Sequence, residues 1–125
     1  MEKKYLQLND ISAYKIAFKL SNYVWDIIIE WYWFSKRHLG GQYVEAIDSI
    51  SANIAEGFGR YHKKDKIKFY PYSQGSLKES FDWNEKSKTR KLLTDDQYNY
   101  IPEELQKLPQ EINQLILFTN RNLTI

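Results

Sequence analysis

The chain has 125 residues, 18 Lys plus Arg against 16 Asp plus Glu for a formal charge of +2, 42% hydrophobic and 27% charged residues. One domain of that length, spanning residues 1–125, buries enough surface to need neither metal nor disulfide, and the composition excludes a disordered or collagen-like chain. The lack of any Cys removes disulfide scaffolds, thiolate metal sites and cysteine nucleophiles, while 5 Gly and 3 Pro are too few for a turn-rich β-sandwich or barrel.

Residues 1–10 hold no uninterrupted apolar stretch of the secretory type. The first helical pattern follows, with Ala13, Ala17, Leu20, Val24, Ile27, Trp31 and Phe34 alternating steps of four and three, the seam of a long amphipathic helix. Asp10 or Ser12 is its expected cap and Gly40-Gly41 its expected stop. Its most apolar part, Val24 to Phe34, contains Asp26 and Glu30 and is far shorter than the ~20 residues of a membrane span, so a cytoplasmic protein without membrane contact is expected. The same helix carries a second, aromatic-rich face in which Trp25, Tyr32 and Trp33 are candidate residues of a homo-oligomer interface.

A second pattern begins near Gln42, with Val44, Ile47, Ile50 or Ser51, Ile54 and Phe58 on one side, and ends at Gly57-Phe58-Gly59. Ala46, Ser49, Ala52 and Ala55 leave room for a neighbouring helix, while Asn53, Glu56 and Arg60 share a face. Those three read either as a structural motif, a packing helix with a buried polar network, or as a contact to a ligand or nucleic acid.

The third pattern runs from about Lys64 to Lys91 with Ile67, Tyr70, Gln74, Leu77, Phe81 and Asn84 in register, and Pro71 inside it is expected to kink or divide the helix. This is the basic element: residues 63–91 carry nine Lys or Arg against four Asp or Glu, whereas residues 92–125 carry two against five. Lys64, Lys68, Lys78, Lys86 and Arg90 fall within an arc of about 120°, with Tyr72 and Trp83 at its margin, a candidate surface for the phosphates and unpaired bases of RNA or DNA. Glu79 and Asp82 lie in the same arc, so an ordinary solvated face with i,i+4 charge pairs is the competing reading.

Thr94 and Gln97 then form a capping box ahead of a fourth pattern, Tyr98, Ile101, Leu105, Leu108, Ile112, Leu115 and Thr119, in which Pro109 is expected to kink or divide the helix. Four such patterns with short connections make an all-α, antiparallel up-down-up-down four-helix bundle. The Glu-x-x-His pairs of metal-holding bundles do not occur: Ser35 stands three residues before His38, and Gly59 before His62. Phosphate-loop, H-E-x-x-H and G-x-S-x-G motifs are missing as well. A protein without enzymatic activity, catalytic residues, cofactor or metal site is therefore expected.

The run Asp48-Ser49-Ile50-Ser51-Ala52-Asn53-Ile54-Ala55-Glu56-Gly57-Phe58-Gly59-Arg60, followed by Lys63-Lys64, Phe69 and Gly75-Ser76-Leu77 with Glu79, resembles the bacterial four-helix-bundle proteins encoded by intervening sequences in 23S ribosomal RNA genes. The likeness spans roughly residues 10–123. It implies an antiparallel bundle, commonly assembled as a ring-like homopentamer, with no established enzymatic activity. A related branch, the accessory variability protein of diversity-generating retroelements, implies a basic surface that binds nucleic acid. This chain departs from the pattern at His62, where the family usually has a Ser cap, and at Pro71 and Pro109. The expected function is a self-assembling interaction module with weak, sequence-independent nucleic-acid binding; the alternative is a scaffold or adaptor for a protein partner.

Overall fold

The computed structural model describes residues 6–123, which contain helices and no strand. A short 3-10 turn, Leu8–Asp10, leads into α1 (Ser12–Ile28). After a turn over residues 29–32, a second rod runs without interruption through α2 (Trp33–Ser35), a π-helical turn (Lys36–Gly40) and α3 (Gly41–Gly59). The third rod is α4 (Lys63–Thr89), and α5 (Asp95–Leu105) with α6 (Leu108–Asn122) make the fourth. The rods close around one core of Leu20, Val24, Tyr43, Ile47, Ile50, Ile54, Tyr70, Leu77, Ile101, Leu105, Leu108 and Ile112, an all-α four-helix bundle.

The first helix is shorter than its apolar period suggests. It ends at Ile28, and neither Asp10 nor Ser12 caps it: Ile11 is the N-cap residue, and the Asp10 carboxylate accepts instead from the Gln7 N–H at 2.8 Å. Trp31 continues the seam only because the turn folds it back onto the bundle, where its indole N–H donates to the Leu92 carbonyl at 3.0 Å; Ile27 still lies in α1, half-buried beside the buried Ile28. Gly40 and Gly41 do not stop a helix; both have helical dihedrals inside the second rod. Gly40 is there for closeness, since a Cβ on it would stand 2.7 Å from Ile28 Cγ2. The Gly41 N–H reaches five residues back to the Lys36 carbonyl, which makes this turn π-helical.

Along α4 the buried line is Tyr70, Ser73, Leu77, Ser80, Asn84 and Ser87, with Ile67, Gln74 and Phe81 beside it rather than in it. Three serines can be buried because each hydroxyl is satisfied by a backbone carbonyl: Ser80 donates to Ser76, Ser87 to Trp83, both at 2.8 Å, and Ser73 crosses to Ile50 of α3 at 2.9 Å. Small side chains let the two helices approach closely. Tyr70 faces Gly57, and the Tyr43 hydroxyl donates to Asn84 Oδ1 at 2.9 Å, which sets an antiparallel register for the α3–α4 pair.

Pro71 does not divide α4, which continues through it, whereas the fourth rod is broken at Gln106-Lys107 with Pro109 in the first turn of α6. Proline at that position forfeits no helical hydrogen bond. Pro102, within α5, is a third proline that a helix accommodates. The Thr94 capping box is present, with Thr94 Oγ1 accepting from the Gln97 N–H at 3.2 Å and Gln97 Oε1 from the Thr94 N–H at 3.0 Å.

The end of α4 is a Schellman turn: the Leu92 N–H donates to the Ser87 carbonyl at 2.8 Å and the Lys91 N–H to Lys88 at 2.9 Å. Lys91 occupies the left-handed position with φ 63°. Lys91→Gly is expected to raise stability by about 0.5–1 kcal/mol by removing the Cβ clash, read as a higher urea midpoint at unchanged m-value.

Candidate nucleic-acid interface

The basic helix does not present one continuous row of free cations. At its start, Lys63 and Lys66 cap neighbouring helices: Lys63 Nζ donates to the Asn120 carbonyl near the end of α6 at 3.0 Å, and Lys66 Nζ to the Phe58 carbonyl near the end of α3 at 2.7 Å. Cations at helix C-termini complement the macrodipole. Burial against Phe58 lowers the Lys66 pKa from its ordinary value.

Lys64, Lys68 and Lys78 are exposed along α4, and Arg90 is exposed at its end. Lys86 is different. Its ammonium pairs with Asp82 and lies 4.6 Å above the Trp83 ring, while the Trp83 indole N–H donates to Glu79 at 3.2 Å. Glu79, Asp82, Trp83 and Lys86 thus form a locally neutralised section between two cationic ends. Lys88 stands 3.8 Å over the Tyr98 ring, whose hydroxyl donates to Glu85 at 2.5 Å and is thereby held above the ordinary tyrosine pKa.

Asn53, Glu56 and Arg60 lie at the surface, not in a buried network. The Asn53 amide is half-buried and donates to the Ser49 carbonyl of its own helix at 2.8 Å. Glu56 and Arg60 pair at 2.5 Å with about half of each side chain exposed, an arrangement worth little to stability. A buried polar pair among the described residues is Tyr43 with Asn84, whose partners stand 41 residues apart and carry no local spacing signal. Arg60 has a second partner of the same kind: its guanidinium sits 4.8 Å from the Phe69 ring, across the α3–α4 turn. Phe69 in turn meets Tyr72 edge-on at 5.8 Å.

At the opposite end of the bundle, Trp25, Tyr32 and Trp33 are 49%, 70% and 59% exposed. Tyr32, Trp33 and Phe34 follow one another in contact, with ring centroids 5.8 Å apart, and His38 stacks on Phe34 at 4.4 Å. Contacts join Tyr32, Trp33, Phe34 and His38 in one surface region of the first turn and second rod, while Trp25 stands exposed near the end of α1. Among the described residues no helix is long and apolar enough to cross a membrane, and no three His, Asp or Glu side chains gather as metal ligands would.

A family model described as 23S rRNA-intervening sequence protein matches residues 9–114. No curated protein is significantly similar to the chain. Among solved structures, the fold is similar to that of a protein of unknown function from the S23 ribosomal protein family of Bacteroides thetaiotaomicron VPI-5482, with a TM-score of 0.72 and 16% identity over 83% of this chain and 97% of that one.

Proposed function

Because the chain belongs to the 23S rRNA-intervening sequence protein family, we propose that it is a non-enzymatic, self-assembling bundle that contacts RNA or DNA weakly and without sequence preference through α4. The observation that carries this reading is the segregation of charge. Residues 63–91 hold nine basic and four acidic side chains in a chain whose total is only +2, and Lys64, Lys68, Lys78 and Arg90 are exposed on that helix. Cations so placed meet phosphates rather than base edges, which gives affinity that falls steeply with salt.

Self-assembly rests on the exposed aromatic side chains of Trp25, Tyr32 and Trp33, since exposed apolar surface of this kind marks sites of protein contact. Copies arranged in a closed ring, five by family resemblance, would repeat the α4 cations and multiply a weak single contact. Light scattering at micromolar concentration is expected to give a mass well above 15.0 kDa. A monomeric mass would refute assembly.

For nucleic acid, gel shifts at low salt should show binding that Lys64→Glu/Lys68→Glu/Lys78→Glu abolishes. Equal binding by both proteins would remove α4 from the mechanism. The neutralised Glu79–Lys86 section favours a second reading, a scaffold for a protein partner, and failure of either protein to bind would make that reading the better one.

A further inference from the structure

The two halves of α4 differ in both charge and aromatic exposure. Residues 63–75 carry four Lys against a single Asp, whereas residues 76–89 carry three Lys against three acidic side chains. In the first part, Lys64, Lys68 and Tyr72 succeed each other at i, i+4 and i+8, so they form one exposed line with about 6 Å of helix rise between neighbours. Tyr72 is 50% exposed and is braced from the side by Phe69, on whose ring Arg60 sits. Tyr61, 72% exposed, stands next to Arg60 in the turn between the helices. The second part has no equivalent: Trp83 lies under Lys86 and is tied to Glu79, and Tyr98 lies under Lys88 and is tied to Glu85.

A duplex offers only phosphates to such a line, because its bases are stacked on each other. A single strand offers phosphates and free base faces together, and a ring held beside two cations matches that pattern. Resting on the reading of α4 as a nucleic-acid contact, we propose that its first half is a single-strand site, in which Lys64 and Lys68 take successive phosphates and a base stacks on Tyr72. Phe69, with Arg60 on its own ring, holds the Tyr72 ring in place from the side, and Tyr61 supplies a second stacking surface at the edge. The neutralised middle of the helix ends the site, which therefore spans a few nucleotides per copy rather than the whole rod.

Fluorescence anisotropy at low salt tests this with a labelled strand of about 15 thymidines, within the range of about 4–16 nucleotides that single-strand folds cover, and a duplex of the same length. The single strand is expected to bind more tightly. Tyr72→Ala should weaken it about tenfold with no change for the duplex, and Tyr72→Phe, which keeps the ring face, should restore it. Far-UV circular dichroism of both variants should match the wild type, since Tyr72 is a surface residue. Equal affinity for strand and duplex, with Tyr72→Ala silent on both, would overturn the single-strand site while leaving the α4 contact standing. Tyr72→Phe as weak as Tyr72→Ala would overturn stacking as its basis. Loss of all binding to either probe in the wild type would overturn the α4 reading itself and this site with it.

Discussion

Replacing Asn84 by Leu is expected to destabilise the protein by about 1–3 kcal/mol, although the new side chain has the same number of heavy atoms and is apolar. Tyr43 is entirely buried, and its hydroxyl donates to Asn84 Oδ1 at 2.9 Å. Without that acceptor the hydroxyl remains desolvated with nothing in return. The Tyr43→Phe/Asn84→Leu double variant should recover most of the loss, because both ends of the polar pair are then removed together. Urea denaturation of the four proteins of this cycle measures the coupling directly, and additive losses would show that the bond contributes nothing beyond packing. The pair also carries a pH signature. Burial pushes the Tyr43 phenol well above the ordinary tyrosine range, so its contribution is intact below the unfolded-state pKa of about 10 and declines as pH rises beyond it. Tyr43→Phe should flatten that alkaline decline.

Gly57→Ala is expected to cost about 1–3 kcal/mol, and Gly75→Ala to gain about 1 kcal/mol, though both glycines lie in helices. A Cβ on Gly57 would fall 2.7 Å from Tyr70 Cε1, 2.9 Å from Cδ1 and 3.2 Å from Phe69 Cβ. The Tyr70 ring is fully buried and has nowhere to move, so the rods themselves would have to separate. At Gly75 a Cβ would meet nothing within 4 Å, and only the helix propensity of alanine is felt. Thermal melts of the two variants should shift in opposite directions, by several degrees at about 4 °C per kcal/mol. A Gly57→Ala protein as stable as the wild type would mean that α3 and α4 are less tightly apposed than their contacts indicate.

Features governed by neighbours in sequence were legible in the sequence. The Thr94–Gln97 box, the burial of Ile47, Ile50 and Ile54, and the seam of Ile101, Leu105, Leu108 and Ile112 all follow from short-range spacing. The end of α1 was not, because Ile27 and Trp31 keep the helical period while the chain turns, and what holds Trp31 is the Leu92 carbonyl 61 residues away. Ser73, Ser80 and Ser87 escaped a reading based on apolarity, since a serine that satisfies itself on a carbonyl packs as a small residue. At the candidate interface the cations were legible one by one. Which of them are occupied was not: Lys63 and Lys66 are directed to carbonyls of α6 and α3, and Arg60 to Phe69, partners that only the closed bundle supplies.

The π-helical turn at Lys36–Gly40 sets an azimuth. Upstream of it stand the exposed rings of Trp33 and Phe34; downstream, Tyr43 and Ile47 point into the core. Five residues there fill a turn that an α-helix would close with one fewer. A homologue with a single-residue deletion at this point would close the turn as ordinary α-helix and keep both surfaces, the whole of α3 and their relative azimuth, because the widened turn and the α turn each bring the chain once around the axis. Chain length at this one turn, independent of side-chain identity, can thus vary by one residue between relatives while the aromatic surface and the core-facing side of α3 stay aligned.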